Sequence, residues 1–251
     1  CHYFYVRATN HLLKAAGGTY LILLDSDTTP EPGALRHLVT LLEENPAIGA
    51  VGPRLAGIDG RFQRWTAGRL PTFTSVSSFY LGLDRIAAKV RLNVGLFLAR
   101  DTTQPQDVSW LCSCCLALRH QALREAGLMD ERYASYLGDL DLCRRINEHG
   151  WRIHYDPRVT VLHAQGRNTA REPGYASPDT IYGLDMYLHQ HSNGLTRETL
   201  RWVEASGYIA RFAAYSAMSF IRKNQRARTM AHLHWRWFIL RCTTAPATPK
   251  P

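Results

Sequence analysis

No stretch of this 251-residue chain reaches the 18 or so uncharged apolar residues that a membrane-spanning helix needs. A secretory leader is also missing, because Cys1-His2-Tyr3-Phe4-Tyr5 has neither a basic flank nor a long apolar core. The first residue is not Met, and a piece of a longer protein is expected. There is no internal repeat, and low complexity is confined to the Thr/Pro/Ala stretch 243–251, which is expected to be disordered. Cysteine is sparse. Cys112-x-Cys114-Cys115 fits no common zinc pattern, no second pair follows, and Cys1, Cys143 and Cys242 stand alone. The expectation is free thiols acting as small core residues in the apolar run Trp110–Leu118, which suits a reducing, cytoplasmic setting.

What is present is an ordinary folded-protein composition, 45% apolar and 20% charged. The net charge is +9, and it is unevenly placed. From Thr196 to Pro251 ten Lys and Arg face two acids, so +8 of the +9 sits in the last fifth of the chain. A basic tail of this kind points to anionic lipid, nucleic acid or solubility. Trp202 to Arg241 combines apolar and aromatic residues with Arg222, Lys223, Arg226 and Arg228. That suits a helical segment lying on an anionic membrane surface.

The apolar run Tyr20–Leu24 has strand length and reads as buried. It leads into Asp25-Ser26-Asp27-Thr28. Leu35, Leu38, Val39 and Leu42 then follow a helical period that Asn45-Pro46 stops, and Ile48–Val51 reads as a second strand. Strand, helix, strand is a βαβ unit and predicts a parallel pair. Residues 59–100 read as loops with short helices, 108–118 as one strand, 139–149 as a helix, and 153–155 and 160–162 as two short strands. From Glu198 onward the pattern is helical.

Three constellations carry chemistry. Asp25-Ser26-Asp27 sits at the carboxyl end of a buried strand, where open α/β sheets bind ligands. Two acids one position apart there can hold a hard divalent cation, or can form a plain acidic turn. Asp139 and Asp141 open a helix, where an acid either caps the free N–H groups or faces a cleft as a general base. His163 ends a strand and could ligate a metal or meet a phosphate.

A resemblance joins these fragments. Arg7-x-x-Asn10, then Ala16-Gly17-Gly18, the strand Tyr20–Leu24 and Asp25-Ser26-Asp27-Thr28 resemble the sugar-nucleotide half of family 2 glycosyltransferases, bacterial rhamnosyltransferases above all. So do residues 49–55 with Asp59-Gly60, and 126–133 followed by Tyr136. Asp139-Leu140-Asp141-Leu142-Cys143-Arg144-Arg145, Gly150-Trp151 and Val161-Leu162-His163 complete the set. Two departures stand out: Gly138 replaces the usual acid before Asp139, and the match begins after the family's opening strand and base-reading loop.

The resemblance implies an α/β, GT-A-like mixed sheet flanked by helices, with its first strands missing, over residues 1–179. A basic, aromatic helical segment at 180–242 and a disordered tail at 243–251 follow. It implies an inverting transfer of a sugar, rhamnose from dTDP-rhamnose, to a hydroxyl of a lipid-linked or polysaccharide glycan. Asp139 would be the catalytic base, and Gly138 would leave room beside it. Arg7, Asn10, Asp25 and Asp27 would bind the donor diphosphate. Asp27, Asp25 and His163 would hold Mg²⁺ or Mn²⁺, and Asp141, Arg145 and Trp110 would line the acceptor side. The chain is expected in the cytoplasm, peripheral on the inner face of the membrane, with no nucleic acid as partner.

Two other readings compete with this one. Asp25-x-Asp27-x-Thr29 also fits haloacid-dehalogenase-type phosphatases, but Lys89 is the only later lysine before the tail, and Asp139-x-Asp141 is too tightly spaced. A basic nucleic-acid module using Trp202, Trp235 and Trp237 leaves the α/β half unexplained.

Overall fold

The structure, a computed structural model, describes residues 5–90, 92, 94–98, 100–133, 136–164 and 178–243. The tail at 244–251, Cys1 and most of the loop after His163 lie outside the described residues. In chain order the elements begin α1 (Tyr5–Ala15), β1 (Tyr20–Leu24), β2 (Thr28–Pro30), α2 (Ala34–Glu44), β3 (Ile48–Ala56), β4 (Ala67–Gly68), α3 (Phe73–Tyr80) and α4 (Leu83–Lys89). They continue β5 (Gln106–Asp107), β6 (Trp110–Leu111), β7 (Cys115–Arg119), α5 (His120–Ala126), α6 (Gly138–Glu148), β8 (Arg152–His163), α7 (Pro178–His191), α8 (Gly194–Arg222) and α9 (Gln225–Thr243). Two compact units result. One is Cys1–Leu70 with Phe97–Thr169, and the other is Pro71–Leu96 with Ala170–Pro251.

The first unit is built on a mixed sheet in the order β1-β7-β3-β8-β2, with β5 added beside β8. Strands β1 and β3 run the same way, as a βαβ unit requires, yet they are not neighbours. Strand β7 lies between them, antiparallel to both. The reason is burial: Cys115, Leu116, Ala117 and Leu118 are all within 1% of full burial, a strand that fits only inside a sheet covered on both faces. Helix α2 covers one face, with Leu38 and Leu42 fully buried against Ile48, Val51 and Leu55. Helices α5 and α6 cover the other, and Gly49 lets them close. A Cβ there would lie 2.7 Å from Trp151 Cβ and 2.8 Å from Ile146 Cγ2.

Two strand boundaries differ from the sequence reading. The run 108–118 is not one strand but β6 and β7, parted by Cys112-Ser113-Cys114. The two short strands at 153–155 and 160–162 are one, β8, whose register against β3 shifts between Pro53 and Arg54. Across that shift the buried Asp156 carboxylate accepts hydrogen bonds from Arg158 and contacts His37, and the nearby charge holds its pKa down at about 2.

The second unit is helical. Helices α8 and α9 form a hairpin that turns at Lys223 (φ +46°), so the sequence from Glu198 onward is two helices rather than one. Tyr208 stacks on Trp237 and Tyr215 on His234, at 5.7 and 5.5 Å. Residues 71–96 belong to this unit, which the sequence division at 179/180 does not capture. Gly207 makes the contact: a Cβ there would meet the Tyr80 carbonyl at 2.5 Å. Tyr80 and Tyr208 then share a hydroxyl–hydroxyl bond of 3.1 Å. Arg241, Asp185 and Glu204 are each about 1% exposed. Arg241 Nη2 lies 2.7 Å from Asp185 Oδ1, and its Nε lies 3.3 Å from Glu204 Oε2. Among the described residues, no helix is long and apolar enough to cross a membrane.

Candidate active site

Strand β1 delivers its acids to a place the backbone fixes twice. The Asp25 N–H donates to the Cys114 carbonyl at 2.9 Å, continuing the β1–β7 pairing. The Asp25 carbonyl accepts from the N–H and hydroxyl of Thr28, which turns the chain into β2. There Thr28 pairs with His163 at the end of β8, and the Ala164 N–H donates to the Asp27 carbonyl at 2.9 Å. The sheet register therefore gathers the acidic turn, the 112–114 turn and His163.

The side chains converge. His163 Nε2 lies 3.5 Å from Asp27 Oδ1. Asp25, Cys114 and His163 each offer one ligand atom, all within 4.8 Å of one another. Gln63 orients the imidazole. Its amide nitrogen donates to the His163 carbonyl at 2.8 Å, so its amide oxygen must face Nδ1, at 2.9 Å. Nδ1 therefore donates to Gln63, and Nε2 faces the acids, the orientation of a metal-ligating imidazole.

A hydrogen-bond chain runs from these acids to Asp139. The Tyr5 hydroxyl donates to Asp25 Oδ1 at 3.2 Å and lies 2.8 Å from Ser113 Oγ. The Ser113 N–H donates to Asp139 Oδ2 at 3.0 Å, and the Leu140 N–H donates to Asp139 Oδ1 at 2.9 Å. Both oxygens of the half-buried Asp139 are thus aimed by backbone groups. Burial raises its pKa above the ordinary carboxylate value, with the two N–H donors opposing. Burial and the Asp25 charge push the Tyr5 hydroxyl up, so it stays protonated. The Cys114 thiol is likewise pushed up, by its contact with Cys112, by burial and by Asp25.

Asp27, Asp25, His163 and Asp139 are therefore brought together. The other sequence candidates hold structure. Asn10 is buried with its amide taken up by the Met129 backbone in both directions, at 2.8 and 3.0 Å. Arg7 is exposed and pairs with Glu131 at 3.2 Å. Asp141 is buried and paired with Arg145 at 2.9 Å, four residues on, while Arg145 donates to the carbonyls of Ala126, Gly127 and Leu128. The pair ties α6 to the loop after α5. Trp110 is buried, its indole N–H donating to the Arg69 carbonyl. Gly138 leaves no open space either, because a Cβ there would lie 3.2 Å from Val6 Cγ2 and 3.5 Å from Tyr133 Cβ.

Sequence reasoning missed Gln63, Tyr5, Ser113 and Cys114. Gln63 had a faint signal, three residues after Asp59-Gly60. The cysteine-serine turn had none, because its apolar flanks read as continuous strand.

Comparisons with known proteins give a family and relatives for this chain. Residues 3–127 match the family described as Glycosyl transferase family 2. The N-acetylglucosaminyl-diphospho-decaprenol L-rhamnosyltransferase of Mycobacterium tuberculosis is 26% identical over 209 residues, 83% of this chain and 67% of that protein. The pre-mycofactocin glycosyltransferase of the same organism is 28% identical over 159 residues, 62% of this chain and 29% of that one. Among solved structures, a mannosyltransferase from Pyrobaculum calidifontis in complex with GDP-Man and Mn²⁺ has a TM-score of 0.49 at 15% identity, covering 95% of this chain and 65% of its own. GalNAc-T7 with UDP, GalNAc and Mn²⁺ has a TM-score of 0.47 at 14% identity, covering 74% and 34%.

Proposed function

We propose, from the premise that this chain is a glycosyltransferase carrying a family 2 domain, that it moves rhamnose from dTDP-rhamnose to a hydroxyl of a lipid-linked glycan, with inversion. The observation that supports the reading is the link from Asp25 through Tyr5 and Ser113 to Asp139, which joins an oriented carboxylate to a cluster of side chains with metal-ligand chemistry. The donor set fits a divalent cation: two carboxylates and an imidazole whose Nε2 faces them. Asp25, Asp27 and His163 would hold Mg²⁺ or Mn²⁺, and such an ion supplies positive charge that stabilises a departing diphosphate. Asp139 takes the proton of the acceptor hydroxyl as that oxygen attacks the anomeric carbon. Ser113 and Leu140 fix the two carboxylate oxygens for that transfer. The family match displaces the phosphatase and nucleic-acid readings.

Rhamnose and a lipid-linked acceptor are supported by the mycobacterial relative, whose name specifies both. The test is transfer from a panel of nucleotide-sugars to a polyprenyl-diphosphate-linked acceptor, with and without Mn²⁺. Metal-dependent transfer of rhamnose is the expected result. Transfer from another donor alone would replace the sugar, and transfer undiminished by chelator would remove the metal.

A lipid-borne acceptor places the chain on the inner face of a membrane, and the α8–α9 turn has the composition for contact. Phe220 and Ile221 are 89% and 76% exposed. Arg222, Lys223, Arg226 and Arg228 follow them in the sequence, and no acid occurs after Glu204. At about 1 kcal/mol for each basic residue near an anionic surface, replacing the four by Ser will abolish flotation with anionic vesicles. Flotation with neutral vesicles equal to that with anionic ones would exclude the electrostatic contact.

A further inference from the structure

The cysteine-serine turn that parts β6 from β7 puts a thiol where a hard-cation site has no use for one. Mg²⁺ and Mn²⁺ are served by oxygen and imidazole donors, yet the Cys114 sulfur lies within 4.8 Å of both the Asp25 carboxylate and the His163 ring nitrogen. A second sulfur, Cys112 Sγ, lies 2.9 Å from it. The three ligand residues come from three distant parts of the chain, and backbone pairing fixes each. Asp25 is bonded to the Cys114 carbonyl, Leu24 pairs with Cys115, and His163 pairs with Thr28. Gln63 holds the His163 ring so that Nε2 faces inward.

One thiolate, one imidazole and one carboxylate, with a fourth position open, is a donor set of the kind Zn²⁺ takes. We infer that Cys114, His163 and Asp25 form a site for a thiophilic divalent cation, Zn²⁺. It overlaps the Mg²⁺ or Mn²⁺ site, so Zn²⁺ occupancy shuts the working ion out. Binding replaces the thiol S–H with an S–Zn bond and releases that proton to solvent. The Zn²⁺ site rests on these residues alone, and only its inhibitory consequence rests on the proposed reaction.

The test uses the whole chain with Co²⁺ as a coloured stand-in for Zn²⁺. A thiolate-to-cobalt charge-transfer band in the near ultraviolet is expected, and Zn²⁺ should bleach it by displacement. Cys114→Ser should remove the band. Cys143→Ser should keep it, since the Cys143 sulfur is buried against the Leu111 carbonyl. Zn²⁺ affinity should fall more than about tenfold in Cys114→Ser, because even groups that only support a metal ligand carry that much. A Co²⁺ spectrum without the band, or a band unchanged in Cys114→Ser, overturns the inference. If Cys114→Ser does not fold, His163→Asn provides the second route. It should also lose Zn²⁺ affinity more than about tenfold, and unchanged affinity overturns the assignment. Mn²⁺ binding followed by electron paramagnetic resonance keeps the two readings apart. Mn²⁺ bound without a cobalt–sulfur band sinks only the Zn²⁺ site, whereas the band without Mn²⁺ binding sinks only the reaction's metal.

Discussion

Asp139→Asn will lower sugar transfer by about 10²–10⁴-fold, the usual contribution of a positioned base, while donor and Mn²⁺ affinity stay near wild type. A hydroxyl attacks poorly until its proton is removed, and Asp139 is a carboxylate of this site oriented by N–H donors from Ser113 and Leu140. The expected pattern separates a base from a cap. The N-cap of α6 is Leu137, at φ +70°, not Asp139. The Asp139 carboxylate instead receives an N–H from Ser113 in another segment. An Asn there keeps one acceptor oxygen and turns its amide nitrogen toward one of the two N–H donors, so a modest loss of thermal stability accompanies the loss of rate. Near-normal transfer by the Asn variant would make Asp139 a brace for the 112–114 turn. The pH profile supplies an independent check. Burial holds the Asp139 pKa above the ordinary carboxylate value, and only the ionised form accepts a proton. Transfer therefore rises with pH through that raised pKa, and the Asn variant loses this limb.

Arg241→Met will destabilise the helical unit by about 3–5 kcal/mol, the range for removing one partner of a buried ion cluster. Arg241 is about 1% exposed and is the cation shared by Asp185 and Glu204, both buried as deeply. Without it the buried Asp185 carboxylate loses the guanidinium that bonds it, and the neighbouring Glu204 loses its largest favourable charge. The sign of the pH dependence follows from Glu204, whose pKa is pushed up to about 8, chiefly by burial. The folded chain keeps a proton there that the unfolded chain releases near the ordinary glutamate value. Stability contributed by this group is present at low pH and is lost as pH rises toward about 8. Denaturant unfolding at pH 5 and pH 8 should show the wild type weaker at the higher value, and Glu204→Gln should flatten the difference. An Arg241→Met protein as stable as wild type at pH 8 would mean that the cluster holds its charges in some other way.

Much of the first unit was legible because apolar periodicity and burial agree there. Leu38 and Leu42 announced α2, and Tyr20–Leu24 announced β1. The resemblance implied a mixed sheet flanked by helices, and the first unit is built on one. What stayed hidden was partnership. Nothing in Cys115–Arg119 says that it will slide between β1 and β3, because both-face burial is a property of neighbours, not of the segment. In the site, Asp25, Asp27, Asp139 and His163 could be named, since acids after an apolar strand and a histidine at a strand end are rare enough to notice. Asp141 and Arg145 looked equally functional, yet an Asp and an Arg four apart on one helix pair with each other before anything else. Gln63 and Tyr5 act through contacts made 100 and 108 residues away, a distance at which local pattern carries no information.

The insertion of β7 between β1 and β3 sets the order in which the protein can be made. Tyr20 pairs with Arg119, about a hundred residues downstream, so the first two long strands have no shared neighbour while the chain between them is still being synthesised. At translation rates of about 5–20 residues per second, β1 waits on the order of 5–20 s for its partner. Through that interval the apolar Tyr20–Leu24 segment has an open edge that another chain could pair with. Such a sheet folds slowly, because non-local pairing pays loop closure before it gains contacts. A nascent chain arrested before Cys115 will therefore resist proteolysis no better than an unfolded one, and one released after Arg119 will be the first to show protection of β1.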